Sequence, residues 1–137
     1  MNTEPRPRRL LRSIGAVFAG LLTIVVLSTA VDLVLHSTGV FPPAGQPMAN
    51  GLWLLAAGYR FVFGILACNL AARLAPYRPM AHAVALAIVG VVIGTLGVVA
   101  TWGRGAAFGP AWYGVVVAIM PLPCAWIGGR VKEPAAA

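Results

Sequence analysis

Acidic residues are almost absent from this chain. Its 137 residues include three Asp or Glu against ten Lys or Arg, and only 9% of the residues are charged at all. Glu4 and Glu133 lie close to the termini, so Asp32 is the one carboxylate in the body of the sequence. Catalysis by paired carboxylates and carboxylate-bridged metal centres therefore have no basis here.

Histidine and cysteine are equally scarce, with two of each. His36 and His82 fall at opposite ends of apolar segments, so they cannot ligate one haem or metal ion together. Cys68 and Cys124 lie inside apolar runs, where cysteine usually acts as a small hydrophobic residue, although a disulfide between them stays open. We expect no catalytic residue, no metal site and no cofactor, and therefore no enzymatic activity.

The low charge also excludes an ordinary soluble domain, which carries about 25% charged residues. Here 60% of the residues are hydrophobic, and the mean hydropathy is +0.88. The net charge of +7 would suit a nucleic-acid binder, but the basic residues stand at the ends of apolar runs. We therefore expect them to contact anionic lipid headgroups of the bilayer, and we expect no nucleic-acid partner.

Four apolar runs reach the length of about 20 residues that a helix needs to cross a bilayer. They cover residues 14–35, 52–72, 83–101 and 111–129. Each must be helical, because lipid offers the backbone no hydrogen-bond partner. The sequence thus predicts an all-α integral membrane protein. Its four-transmembrane-helix bundle covers residues 14–129, between a basic N-terminal tail, 1–13, and a C-terminal tail, 130–137.

The basic residues predict the orientation of this bundle. One side carries eight of the ten: Arg6, Arg8, Arg9, Arg12, Arg73, Arg78, Arg130 and Lys132. Arg104 alone falls on the other side, and Arg60 lies within a span. This asymmetry places both termini in the cytoplasm. Together with the small size it favours a multi-pass protein of a bacterial inner membrane.

The first span has an alternative interpretation as a signal peptide. Small residues at Ser28 and Ala30 would permit cleavage after Ala30, and Arg8-Arg9 would suit twin-arginine export, leaving three spans. We favour an uncleaved helix because the apolar run exceeds the usual 7 to 15 residues and continues to Leu35.

Small residues indicate how the helices pack. Gly90 and Gly94 form a GxxxG pair in the third span, Gly97 follows one turn later, and Gly64 lies among alanines of the second span. These positions predict a tight bundle, with a homodimer as the alternative use of GxxxG.

Two prolines, Pro121 and Pro123, predict a kink in the fourth span. The carbonyl groups of Val117 and Ile119 would lose their helical partners, and they would either line an ion path or simply accommodate packing.

Asp32 and Arg60 are the charges well inside the spans, where each costs at least about 2.5 kcal/mol unless it is paired. They lie about 5 Å and about 12 Å from the same outer end of their helices. Because side chains lean toward the helix N-terminus, Arg60 can reach outward to Asp32. We predict an ion pair, with Ser28 and His36 continuing a polar stripe at i, i+4 spacing along the first span.

Two functions follow from this cluster. The ion pair either locks two helices within a non-enzymatic accessory or interaction module, whose unknown partner is another membrane protein, or it lines the vestibule of a small transporter or channel for an ion, a proton or a small anion. The charges have no counterparts in the second pair of spans, whereas transporters commonly use internal repeats. The accessory module is therefore the favoured hypothesis.

Overall fold

The computed structural model describes residues 5–43, 46–105 and 108–132, and in these ranges all regular structure is helical. The helices are α1 (Arg6–Ser37), α2 (Asn50–Leu74), α3 (Pro79–Thr101), α4 (Ala111–Ile119) and α5 (Pro121–Lys132).

Four helical stretches are long and apolar enough to cross a membrane. They are α1, α2, α3 and the stretch Ala111–Arg130, which joins α4 to most of α5. Many large apolar side chains on their outer faces are exposed, including Leu22, Val26, Val92, Leu96 and Trp126. A surface of this kind suits a lipid environment, and the predicted all-helical fold with four long apolar helices is confirmed.

The helix ends differ from the predicted span ends mainly at the N-terminus. α1 begins at Arg6 rather than at residue 14, so the described basic residues of the predicted tail lie on its first turns. Proline occupies an early position of both α1 and α3, where its missing N–H is not needed. The α1–α2 connection contains Pro42, Pro43 and Pro47, which oppose helix continuation.

Small residues fill the core between the helices. α1 packs on α2, and α5 packs against both α2 and α3. The core cluster lies in the half of the bundle nearer the N-terminus of α1 and consists of Ala67, Cys68, Ala71, Ala83, Leu86, Ala87, Cys124 and Ala125. Alanines in this cluster let the backbones approach closely, which is how helices associate in lipid. Cys68 and Cys124 are buried there as free thiols, so the disulfide that the sequence left possible is not formed.

Three of the four glycines predicted to pack do so. A Cβ placed on Gly90 would lie 2.9 Å from Pro121 Cγ, one on Gly94 2.9 Å from Ala118 Cα, and one on Gly64 2.7 Å from Cys124 Sγ. The GxxxG pair thus holds α3 against α4 and α5 within the chain. Its use as a homodimer contact is not required by the fold.

Gly97 was predicted to pack with Gly90 and Gly94, and for the fold of a single chain this prediction is wrong. A Cβ placed there meets no atom within 4 Å among the described residues. Gly97 lies in the outer half of α3, where most side chains are exposed, including Leu96 and Val99. At this level α3 still contacts α4 through Val98, so Gly97 lacks a close contact because it faces away from α4.

The predicted interruption of the fourth span is present. α4 ends at Ile119, and α5 begins at Pro121. The Met120 N–H donates to Val116 O at 2.8 Å, which keeps the two segments joined across the break. Pro121 packs against Gly90, so the interruption has a packing role.

Candidate functional site

The ion pair between Asp32 and Arg60 forms as the sequence predicts. Arg60 Nη2 donates to Asp32 Oδ2 at 2.6 Å, joining α1 to α2. The Arg60 side chain is 25% exposed and the Asp32 side chain is 30% exposed, so the pair is mostly enclosed by protein. Pairing lowers the cost of placing both charges at membrane depth.

Two tyrosines extend the pair into a network across three helices. The Tyr59 hydroxyl donates to Asp32 Oδ1, and Arg60 Nη1 donates to the Tyr113 hydroxyl on α4. Both carboxylate oxygens of Asp32 therefore accept a hydrogen bond within the protein. The indole of Trp53 packs against the Tyr113 ring with centroids 4.7 Å apart and supports its position. We call Asp32, Tyr59, Arg60 and Tyr113 the charged network.

Sequence reasoning did not find the two tyrosines of this network. Tyr113 lies near a predicted span end, where aromatic rings commonly mark the membrane interface, and Tyr59 carried no assignment. A usable signal existed for Tyr59, because it neighbours Arg60 within an apolar helix, where a hydroxyl requires a hydrogen-bond partner. No comparable signal related Tyr113 to Arg60, which lies 53 positions earlier in the chain.

An open cavity of about 220 Å³ lies between the charged network and the α1–α2 connection, and we call it the vestibule. Its lining consists of Asp32, His36, Phe41, Pro42, Pro43, Gln46, Met48, Trp53, Ala56 and Arg60. Polar groups from α1 and α2 meet the α1–α2 connection here. The volume is sufficient for several water molecules, each of which takes up about 30 Å³ in the liquid.

His36 joins the vestibule, whereas Ser28 does not. His36 Nδ1 lies 2.9 Å from Pro42 O. Since a carbonyl can only accept, Nδ1 is the donor in this contact. The Ser28 hydroxyl is covered and has no hydrogen-bond partner among the described residues, so it does not extend the polar cluster.

A second cavity of about 80 Å³ lies between the helices on the inner side of Arg60, and we call it the central cavity. Apart from Arg60, its lining is formed by apolar side chains and glycines: Leu21, Ile24, Gly64, Ala67, Cys68, Leu86, Ala87, Gly90, Val117, Met120, Pro121 and Cys124. Arg60 therefore borders both the vestibule and the central cavity. Water is not stabilised in a cavity with so apolar a lining, so we expect it to be empty of water.

Asn69 and Arg73 form a separate polar contact near the other end of α2. Asn69 Nδ2 donates to Gly128 O at 3.0 Å, and Arg73 Nε donates to Asn69 Oδ1 at 2.7 Å. Asn69 therefore joins α2 to α5.

Groups that bind metals do not converge in the part of the chain that the structure describes. There, no three His, Cys, Asp or Glu side chains lie together in a way that could hold a metal ion. Comparison of the chain with profiles of protein families, with curated proteins and with solved structures finds no match. The function is therefore argued from the charged network and its two cavities.

Proposed function

We propose that this protein is a non-enzymatic accessory or interaction module of a bacterial inner membrane, with both termini in the cytoplasm. The observation that carries the proposal is that the groups of the charged network bind one another. Asp32 receives hydrogen bonds from Tyr59 and Arg60, and Arg60 also donates to Tyr113. A charge that served a solute would need a free face for it, whereas these groups are already engaged with one another.

Close packing on the inner side supports the same proposal. Ala71, Ala72 and Ala83 are fully buried, and a Cβ placed on Gly20 would lie 2.8 Å from the Ala67 carbonyl oxygen. Helices in such close contact leave little room for a solute path below the central cavity. We interpret the charged network as a clamp. It holds the half of the bundle nearer the C-terminus of α1, where contacts between small residues are fewer.

A small transporter or channel is the second candidate, and one observation favours it. Arg60 borders both the vestibule and the central cavity, so movement of its guanidinium group would connect them. The central cavity also reaches Pro121 at the helix interruption, where backbone carbonyls lack helical partners. In this function Arg60 would attract an anion, and Asp32 or His36 would exchange a proton.

The two candidates are separated by measuring stability and transport in the same variants. We would purify wild type, Asp32→Asn, Arg60→Met and the double variant, follow unfolding in detergent, and record fluxes of protons, halides and alkali cations in liposomes. For a structural clamp, each single variant should lose about 2 kcal/mol of unfolding free energy, because one charge is left unpaired at membrane depth. The double variant should lose less than the sum of the two single variants.

The accessory proposal expects no flux above empty liposomes in wild type. A wild-type flux that Arg60→Met abolishes while the variant remains folded would instead establish the transporter. Additive losses in the double variant would contradict the clamp, since independent sites give additive changes.

A further inference from the structure

A shallow groove runs along the outside of the bundle where α1 and α3 lie side by side, and we call it the basic groove. It lies at the end of the molecule that holds the start of α1 and the α2–α3 connection. Its polar end is formed by Arg9, Ser13, Tyr77, Arg78 and His82. Its apolar part is formed by Ile14, Val17, Phe18, Leu21, Ala85 and Val89.

Positive charge collects at the polar end of this groove. The Arg9 guanidinium carbon lies 4.7 Å from the centre of the Tyr77 ring, a cation–π contact that orients the charged group. Arg78 is exposed on the adjoining connection, immediately before α3. Asp32, the one carboxylate in the described ranges, lies about 35 Å away along α1. No described acidic group is therefore close enough to neutralise Arg9 and Arg78.

The apolar part of the groove continues from Ser13 toward the membrane centre. Phe18 is 60% exposed, while Val17 and Leu21 are partly buried beside it. From Ser13 to Leu21 the groove extends about 12 Å along α1, most of the half-thickness of the hydrocarbon layer. Ala85 on α3 also lines the groove and its small side chain leaves room there, so a flexible chain can lie between the two helices.

We propose that the basic groove is a binding site for an anionic phospholipid. Arg9 and Arg78 would contact its phosphate, and one acyl chain would lie along Phe18 and Leu21. The order of groups along the groove, cationic above and apolar below, matches the order of groups in such a lipid. Basic pockets between transmembrane helices are known to bind anionic head groups in this way. This site does not depend on the function proposed for the charged network.

The test compares lipid retention by variants that remove equal charge from the same side of the protein. Detergent-purified full-length protein would be titrated with phosphatidylglycerol and with phosphatidylcholine, and bound lipid counted by native mass spectrometry. The groove variant is Arg9→Gln/Arg78→Gln. The matched control is Arg73→Gln/Arg130→Gln, because Arg73 contacts Asn69 and Arg130 stacks on Trp126, both outside the groove.

We expect wild type to bind phosphatidylglycerol in preference to phosphatidylcholine. The groove variant should lose about 30-fold in affinity for phosphatidylglycerol, about fivefold for each arginine, whereas the control should change little. Equal losses in the groove variant and the control would overturn the proposal, because charge anywhere on that side would then suffice. Displacement of the lipid by inorganic phosphate alone would also overturn it, since the groove would then be a site for a free anion.

Discussion

Two side chains carry formal charge well inside the long apolar helices of this protein, and their surroundings explain how they are tolerated. An uncompensated charge there costs at least about 2.5 kcal/mol. Arg60 meets Asp32 at 2.6 Å, and each of the two side chains also makes a hydrogen bond with a tyrosine hydroxyl group. The sequence was sufficient to predict the pair, because the position of each residue in its apolar run gives its distance from the end of the helix, and the two distances are similar. It was not sufficient to predict Tyr113, because α4 is placed next to Arg60 only by the fold.

Removal of the Tyr113 hydroxyl tests whether the network stabilises the bundle. Tyr113→Phe should lower the free energy of unfolding in detergent by about 1 kcal/mol, since Arg60 loses one acceptor. Tyr59→Phe should have an effect of similar size through Asp32. Tyr77→Phe is the matched control, because its ring contacts Arg9 but its hydroxyl has no hydrogen bond within the described residues. If all three variants unfold alike, the network contributes no stability.

At the scale of the helices, backbone contacts through small residues set the packing. α5 approaches α2 closely at Gly128, where an added Cβ would lie 2.6 Å from Ile65 O and 2.9 Å from Asn69 N. The GxxxG spacing of α3 correctly indicated close contact for Gly90 and Gly94. It failed for Gly97, because spacing along one helix does not reveal which side of that helix its neighbours cover.

Substituting alanine at two glycines compares a glycine in close helix contact with one that has no such contact. Gly128→Ala should lower the free energy of unfolding by about 2–3 kcal/mol, because the clash is with backbone atoms and displaces the carbonyl that Asn69 uses. Gly97→Ala is the control within an open region of α3 and should be neutral or slightly stabilising. Loss of stability in Gly97→Ala alone would indicate that this face packs against a second copy or another membrane protein.

For the molecule as a whole, the two halves of the bundle differ in their means of stabilisation. The half nearer the N-terminus of α1 is packed through alanines and glycines, whereas the outer half relies on the charged network beneath an open vestibule. The basic residues gather at the ends of the packed half. Under the proposed orientation, this half lies toward the cytoplasm, and the vestibule opens outward.

Labelling of single cysteines by a membrane-impermeant maleimide on intact cells tests this orientation. Gln46→Cys and Arg104→Cys lie on exposed connections of the vestibule side and should react. Arg8→Cys, at the exposed start of α1, should react only after the cells are opened. The natural Cys68 and Cys124 are buried and give little background. The reverse pattern would contradict the orientation of both termini.

The amino-acid sequence by itself determined three properties of this chain. It forms four long apolar helices, the fourth helix is interrupted at its prolines, and Asp32 and Arg60 form a pair. These properties follow from local composition, because helix length, hydropathy, proline and the cost of an unpaired charge act within or between neighbouring segments. Only the tertiary structure decided that Tyr59 and Tyr113 complete the network, that Arg60 borders two cavities, and that Gly97 faces away from the other described helices. These depend on the rotation and crossing of each helix, which many weak contacts between small residues set together.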